Sequence, residues 1–99
     1  MSIKGNDVYL IVYWNSDRFE AAILKIYYSE SMAEKYFSKK YDELSGHGSP
    51  LERLYLFRTN VSFIDGFEIE EYEEASRHVA SFIMNHLGNL HIIHENALD

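Results

Sequence analysis

The sequence predicts an α+β domain. It is read as a two-layer sandwich, with a mostly antiparallel sheet and two helices on one face, in the order β-β-α-β-β-α-β. Three observations predict it. Val8 to Trp14 is an unbroken β-branched and aromatic run, the pattern of a strand covered on both faces. Asn15-Ser16-Asp17-Arg18 is a polar turn of hairpin length, so the next strand returns antiparallel. Two later stretches repeat apolar residues at helical spacing.

Taken in order, Val8–Trp14 is the first strand and Phe19–Tyr28 the second. In the second, Leu24, Ile26 and Tyr28 fall on one face, and Ala21, Ile23 and Lys25 on the other. Ser31 followed by Glu34 matches a capping box, in which hydroxyl and carboxylate each satisfy a free backbone N–H at a helix start. Ala33, Tyr36, Phe37, Tyr41 and Leu44 form that helix's buried stripe, with Lys35, Lys39, Lys40 and Glu43 outside it. Ser45 to Pro50 ends the helix, because its two glycines tolerate positive φ and its proline blocks continuation.

Leu54–Phe57 begins a third strand that runs to Phe63, with Tyr55, Phe57, Thr59, Val61 and Phe63 alternating on one face. Asp65-Gly66 is a turn, and Phe67–Glu70 a short fourth strand with Phe67 and Ile69 inward. Tyr72, Ala75, Val79, Phe82, Ile83 and Leu87 mark a second helix closed by Gly88-Asn89, with Glu73 and Glu74 in its first turn. Leu90–His94 is the last strand. Phe37 and Phe82 are the aromatics expected on the sheet-facing stripes of the two helices.

Residues 1–99 hold one domain, since a second would need on the order of 100 residues of its own. Six Phe, eight Tyr and one Trp argue against disorder. The absence of cysteine removes disulfides, thiolate catalysis and cysteine-ligated metals, and fits a reducing, cytoplasmic setting. The longest apolar run has seven residues, against roughly 20 needed to span a bilayer. The opening Met-Ser-Ile-Lys-Gly-Asn-Asp offers no signal-peptide core.

Charge is the most informative feature. Acids and bases balance over residues 1–64. Residues 65–99 carry eight acids against Arg77 alone, so the whole net charge of −7 lies there. Such a field repels nucleic acid and attracts basic proteins. The candidate contact residues are Asp65, Phe67, Glu68, Glu70, Glu71, Tyr72, Glu73 and Glu74: carboxylates to steer a partner and rings to bury against it. The competing reading makes the rings core and the acids a solvated face.

Other chemistry finds little support. The glycines of Gly46-His47-Gly48 leave a helix, whereas phosphate loops enter one. His86, His91 and His94 with Glu95 have ligand chemistry. The odd spacing of His91 and His94, however, sets them on opposite faces of a strand, so no metal or cofactor is expected. No nucleophile or acid–base constellation stands at catalytic spacing, and the chain is read as a non-enzyme.

The segments Tyr27-Tyr28-Ser29-Glu30-Ser31-Met32-Ala33-Glu34-Lys35-Tyr36 and Gly66-Phe67-Glu68-Ile69-Glu70-Glu71-Tyr72-Glu73 resemble a family of small uncharacterised bacterial and phage domains. That family has a Ser-x-x-x-Ala-Glu helix start and a Gly-Phe-x-Ile-x-x-Tyr strand. The resemblance implies an α+β fold and a microbial or phage origin, and no chemistry. The expectation drawn from the whole is a phage or mobile-element inhibitor, of anti-CRISPR-like, anti-defence or toxin-immunity type. It would cover a basic, nucleic-acid-binding surface of a partner such as a nuclease. The alternative is a self-associating regulatory or structural domain, for instance a homodimer.

Overall fold

The computed structural model describes residues 7–99. The polar N-terminal stretch that offers no signal-peptide core lies almost wholly in residues 1–6, outside them. Six regular elements follow in order: β1 (Asp7–Asn15), β2 (Glu20–Tyr27), α1 (Glu30–Leu44), β3 (Glu52–Asn60), α2 (Arg77–Asn85) and β4 (His91–Ala97). The strands form one antiparallel sheet in the order β2-β1-β3-β4. The α+β class and the antiparallel sheet are those the sequence predicts.

The layering differs. Val8, Leu10 and Val12 of β1 pack beneath α2 with Ala21, Ile23, Val79 and Ile83. Tyr9 and Ile11, pointing the other way, pack with Ala33 and Phe37 of α1 and with Leu54, Leu56 and Leu98. The two helices therefore lie on opposite faces of the sheet. A central strand apolar on both sides needs cover on both, which one helical layer does not supply.

Residues 67–70 are not a strand. Phe67 N donates to Ile64 O and Tyr72 N to Ile69 O, closing tight turns, and residues 69–71 form a short 3-10 helix. The alternation of Phe67 and Ile69 serves an aromatic cluster instead, in which the Phe67 and Tyr72 rings stack with centroids 4.1 Å apart. β3 also stops short of Phe63. The Asn60 side chain accepts from Ser62 N at 2.9 Å and turns Val61–Ile64 into a 3-10 turn.

α2 begins at Arg77, capped by the Ser76 hydroxyl, which accepts from Val79 N. Tyr72, Glu73, Glu74 and Ala75 precede the helix. Part of this segment runs along the outer edge of β2, with Ala21 N to Ser76 O, Ser76 N to Ala21 O and Ile23 N to Tyr72 O at 2.7–3.1 Å. α1 is capped by Ser29, not Ser31. Glu34 of the expected capping box instead reaches His94 Nε2 on β4 at 2.6 Å.

Two β-bulges change which faces residues occupy. Val12 pairs with Ile23 and Ile11 with Lys25, so Leu24 is an extra residue. It joins Tyr27 against the α1 core, while Ile26 packs with Ala21 and Ile23 on the other face. In β4, Leu56 pairs with His94 and Phe57 with Ile92, leaving Ile93 extra. His91 and His94 therefore share a face, contrary to their odd spacing.

Glu52 fastens one corner of the sheet. Its carboxylate accepts from the Tyr13 hydroxyl of β1 and from Ser49 N at 2.8 Å. A Cβ on Gly48 would come within 3.0 Å of both Glu52 Oε1 and Leu98 Cβ, so only glycine fits this corner without displacement. The hydrogen bond from Tyr13, with that from Ser49, holds the Glu52 carboxyl below its usual value. Burial, and then the bond to Glu52, pushes the Tyr13 phenol up. A folded value below the unfolded one stabilises the protein above the ordinary carboxylate range, and that stabilisation is lost as pH falls through the folded value. Glu52→Gln should therefore lower stability in urea at about pH 7, with the gap to wild type narrowing towards about pH 3. A gap that stays constant with pH would assign the loss to packing and not to charge.

Candidate protein-binding face

α2 has nine residues and spans about 14 Å at 1.5 Å per residue, too short to roof the whole sheet. It packs chiefly over β2. Its apolar stripe toward the sheet is Val79, Ala80 and Ile83. Phe82 lies off that stripe and is only half-buried, contrary to the expectation that it is a core counterpart of Phe37.

Over β3 and β4 the same face stays open. There a groove of about 200 Å³ is lined by Trp14, Tyr55, Phe57, Ile83, Met84, Leu87 and Ile92. Its floor is the Tyr55–Phe57 pair, rings nearly parallel at 7° with centroids 5.0 Å apart. Its lip is apolar and solvent-facing, with Met84 48%, Leu87 46% and Ile92 56% exposed. Trp14 forms the end wall, held by its Nε1 donating to Ser16 Oγ at 3.0 Å. Phe19 meets that indole edge-on at 5.7 Å, from a backbone held at φ +52°. Positive φ is unfavourable for a bulky side chain, and such strain concentrates where a surface is shaped for use. Tyr55 Oη donates to Glu95 at 3.2 Å and gives the groove a polar rim. An apolar centre with a polar rim is the usual anatomy of a protein interface.

The acidic segment lies on the other flank of α2. Asp65, Glu68, Glu70, Glu71, Glu73 and Glu74 are all exposed. Among the described residues, no ion pair within 4.0 Å involves any of them. The two rings read as contact residues are placed differently. Phe67 and Tyr72 are half-buried and packed on Phe82 at 5.6 and 5.0 Å, with Phe63 beside them. They brace the loop that presents the carboxylates. α2 thus stands between an uncompensated acidic loop and an open apolar groove.

The remaining candidates are structural in placement. His86 Nδ1 lies 2.8 Å from Phe82 O, and His94 stacks on Phe37 at 5.1 Å while meeting Glu34. Among the described residues, no group of three or more His, Asp or Glu is placed to hold a metal ion. Gly46 N and Gly48 N both donate to Leu98 O, so the glycine loop ties the end of α1 to the chain beyond β4.

No protein-family model, curated protein or solved structure matches the chain. A functional reading therefore rests on this face alone. Among the described residues, no helix is long and apolar enough to cross a membrane. The groove escaped the sequence because its members look like core. Trp14, Tyr55 and Phe57 have the alternation of buried strand positions, and Leu87 continues the stripe of α2. The helix ends at Asn85, and Leu87 then sits in a 3-10 turn that leaves it exposed.

Proposed function

We propose that the chain is a small non-catalytic binding module that lays its α2 face on a basic surface of a partner protein and so inhibits it. The observation that carries this reading is the pairing of six carboxylates, exposed and unpaired among the described residues, with an open aromatic groove across one short helix. Surfaces that dock nucleic-acid phosphates are rich in Lys and Arg, and an acidic loop competes for them. The carboxylates steer encounter, and the groove supplies the desolvated anchors that carry most binding energy at an interface. The form this takes is a cytoplasmic phage or mobile-element inhibitor of a nuclease or similar enzyme, of anti-CRISPR-like or immunity type.

The anchors test it. Met84→Asp and Ile92→Asp each place a charge in the groove at a position already open to water, so the fold should tolerate them. Against a partner captured from a host lysate, each should weaken binding roughly 30-fold or more, the size of a hot-spot loss of about 2 kcal/mol. Unchanged affinity for both would remove the groove from the interface.

Self-association has one observation in its favour, the outer edge of β4 beside Ile92, unpaired among the described residues. Two copies that each carry a net charge of −7 repel one another, and Glu95 stands on that strand, so pairing between copies is disfavoured. Sedimentation should accordingly give a monomer.

A further inference from the structure

We infer that the open half of the β2 edge, residues 24–28, receives an extended basic segment of the partner as an added strand. This rests on the protein-binding reading above and says how part of that contact is made.

β2 is an edge strand, and the chain itself shows that its edge pairs readily. Ser76 and Tyr72 take up the outer backbone groups of Ala21 and Ile23. That pairing stops at the Leu24 bulge. Among the described residues, no loop or turn backbone bonds to residues 24–28 from outside. The acidic loop does not close over them. It stands off and leaves a slot of about 370 Å³ walled by Leu24, Ile26 and Tyr28 on one side and by Phe67, Ile69 and Glu73 on the other. That volume is at the lower end for ligand clefts. Tyr28 is 65% exposed at its mouth.

The slot has the two parts that strand addition needs. Unpaired edge groups supply main-chain hydrogen bonds, and the walls give pockets for alternate side chains. Charge identifies the occupant. Among the described residues, Lys25 is the one cation in the wall, against Glu73 and the five further carboxylates of the same loop. An incoming strand alternating cationic and apolar residues turns one set to each face. Its Lys or Arg side chains would face the loop, their stems along Phe67 and Ile69 and their heads at Glu73, and its apolar side chains would lie on the opposite face beside Leu24. An acidic strand meets repulsion at the same place.

The probe is a seven-residue peptide alternating Val and Lys, compared with its Val–Glu counterpart and added to the full chain. Amide exchange and chemical shifts are read by NMR. Residues 24–28 should gain protection at least tenfold, with shifts continuing into 67–73, and the Lys peptide should bind at least tenfold tighter than the Glu peptide. Tyr28 lies outside the β1–β2 ladder, so Tyr28→Pro removes an edge donor without removing a ladder bond. It should lower affinity tenfold or more with an unchanged circular dichroism spectrum. Should that variant misfold, Glu73→Lys tests the same contact through charge, with a several-fold loss expected. Absence of Lys-peptide binding, equal binding of the two peptides, or shifts confined to Met84, Leu87 and Ile92 would overturn the edge site. The last result would leave the binding-module reading standing, which fails separately if the captured partner ignores both the groove and the acidic loop.

Discussion

Phe37→Ala is expected to bring the protein close to unfolding at room temperature. Phe37 is 4% exposed and packs among Tyr9, Ile11, Ala33, Leu54, Leu56 and Leu98, the core beneath α1. Its ring also stacks on His94, which in turn meets Glu34. Truncation leaves a cavity and removes the surface that positions the His94–Glu34 bridge between β4 and α1. Buried Phe→Ala changes cost about 3–5 kcal/mol, and small domains hold only about 5–15 kcal/mol in total. Urea unfolding should show the midpoint falling sharply with little change in slope. Phe82→Ala is the contrast. Its ring is half-buried in the cluster with Phe63, Phe67 and Tyr72, so about half that loss is expected. An equal or larger loss at Phe82 would move the centre of stability to the α2 side.

The fold class was legible because β1 is apolar along its whole length and the helix stripes are regular. The layer count was implied by the same strand. Val8, Leu10 and Val12 need cover on one side, Tyr9 and Ile11 on the other, so two helices on one face would have left a face bare. The bulges at Leu24 and Ile93 were not legible. An extra residue is defined by what the neighbouring strand pairs with, and one such residue reverses the face of all that follow. Ser29 and Ser31 are both competent caps, and the choice turned on Glu34, whose carboxylate is claimed by a histidine sixty residues away. Of the candidate site, the carboxylates could be read directly because charge needs no partner to be seen. The groove could not. Its openness depends on where α2 stops, and a helix end shifted by two residues would have covered Leu87.

Reversing Glu70, Glu71, Glu73 and Glu74 to Lys is expected to abolish tight binding to a basic partner while leaving the protein folded. The change moves the formal net charge by eight, from −7 to +1, and concentrates the reversal on one loop. All four side chains are exposed and unpaired among the described residues, and all four precede α2. Lysines just ahead of a helix N-terminus oppose its dipole by about 0.3–1 kcal/mol each at most, and less outside the first turn. Association should suffer first. Electrostatic steering raises on-rates by roughly 10–1,000-fold, and its reversal removes that gain and adds repulsion. Wild-type binding should weaken steeply between low salt and about 0.15 M, where the Debye length is about 8 Å, and the variant should show the opposite trend. The matched control reverses Asp7, Asp17, Asp42 and Asp99, four exposed acids outside the loop, and makes the same change in net charge. Binding that survives the loop reversal but falls with the control would place the partner elsewhere. Equal losses in both would show that net charge alone sets the on-rate, since a contact at residues 65–74 requires the loop variant to fall much further at every salt concentration.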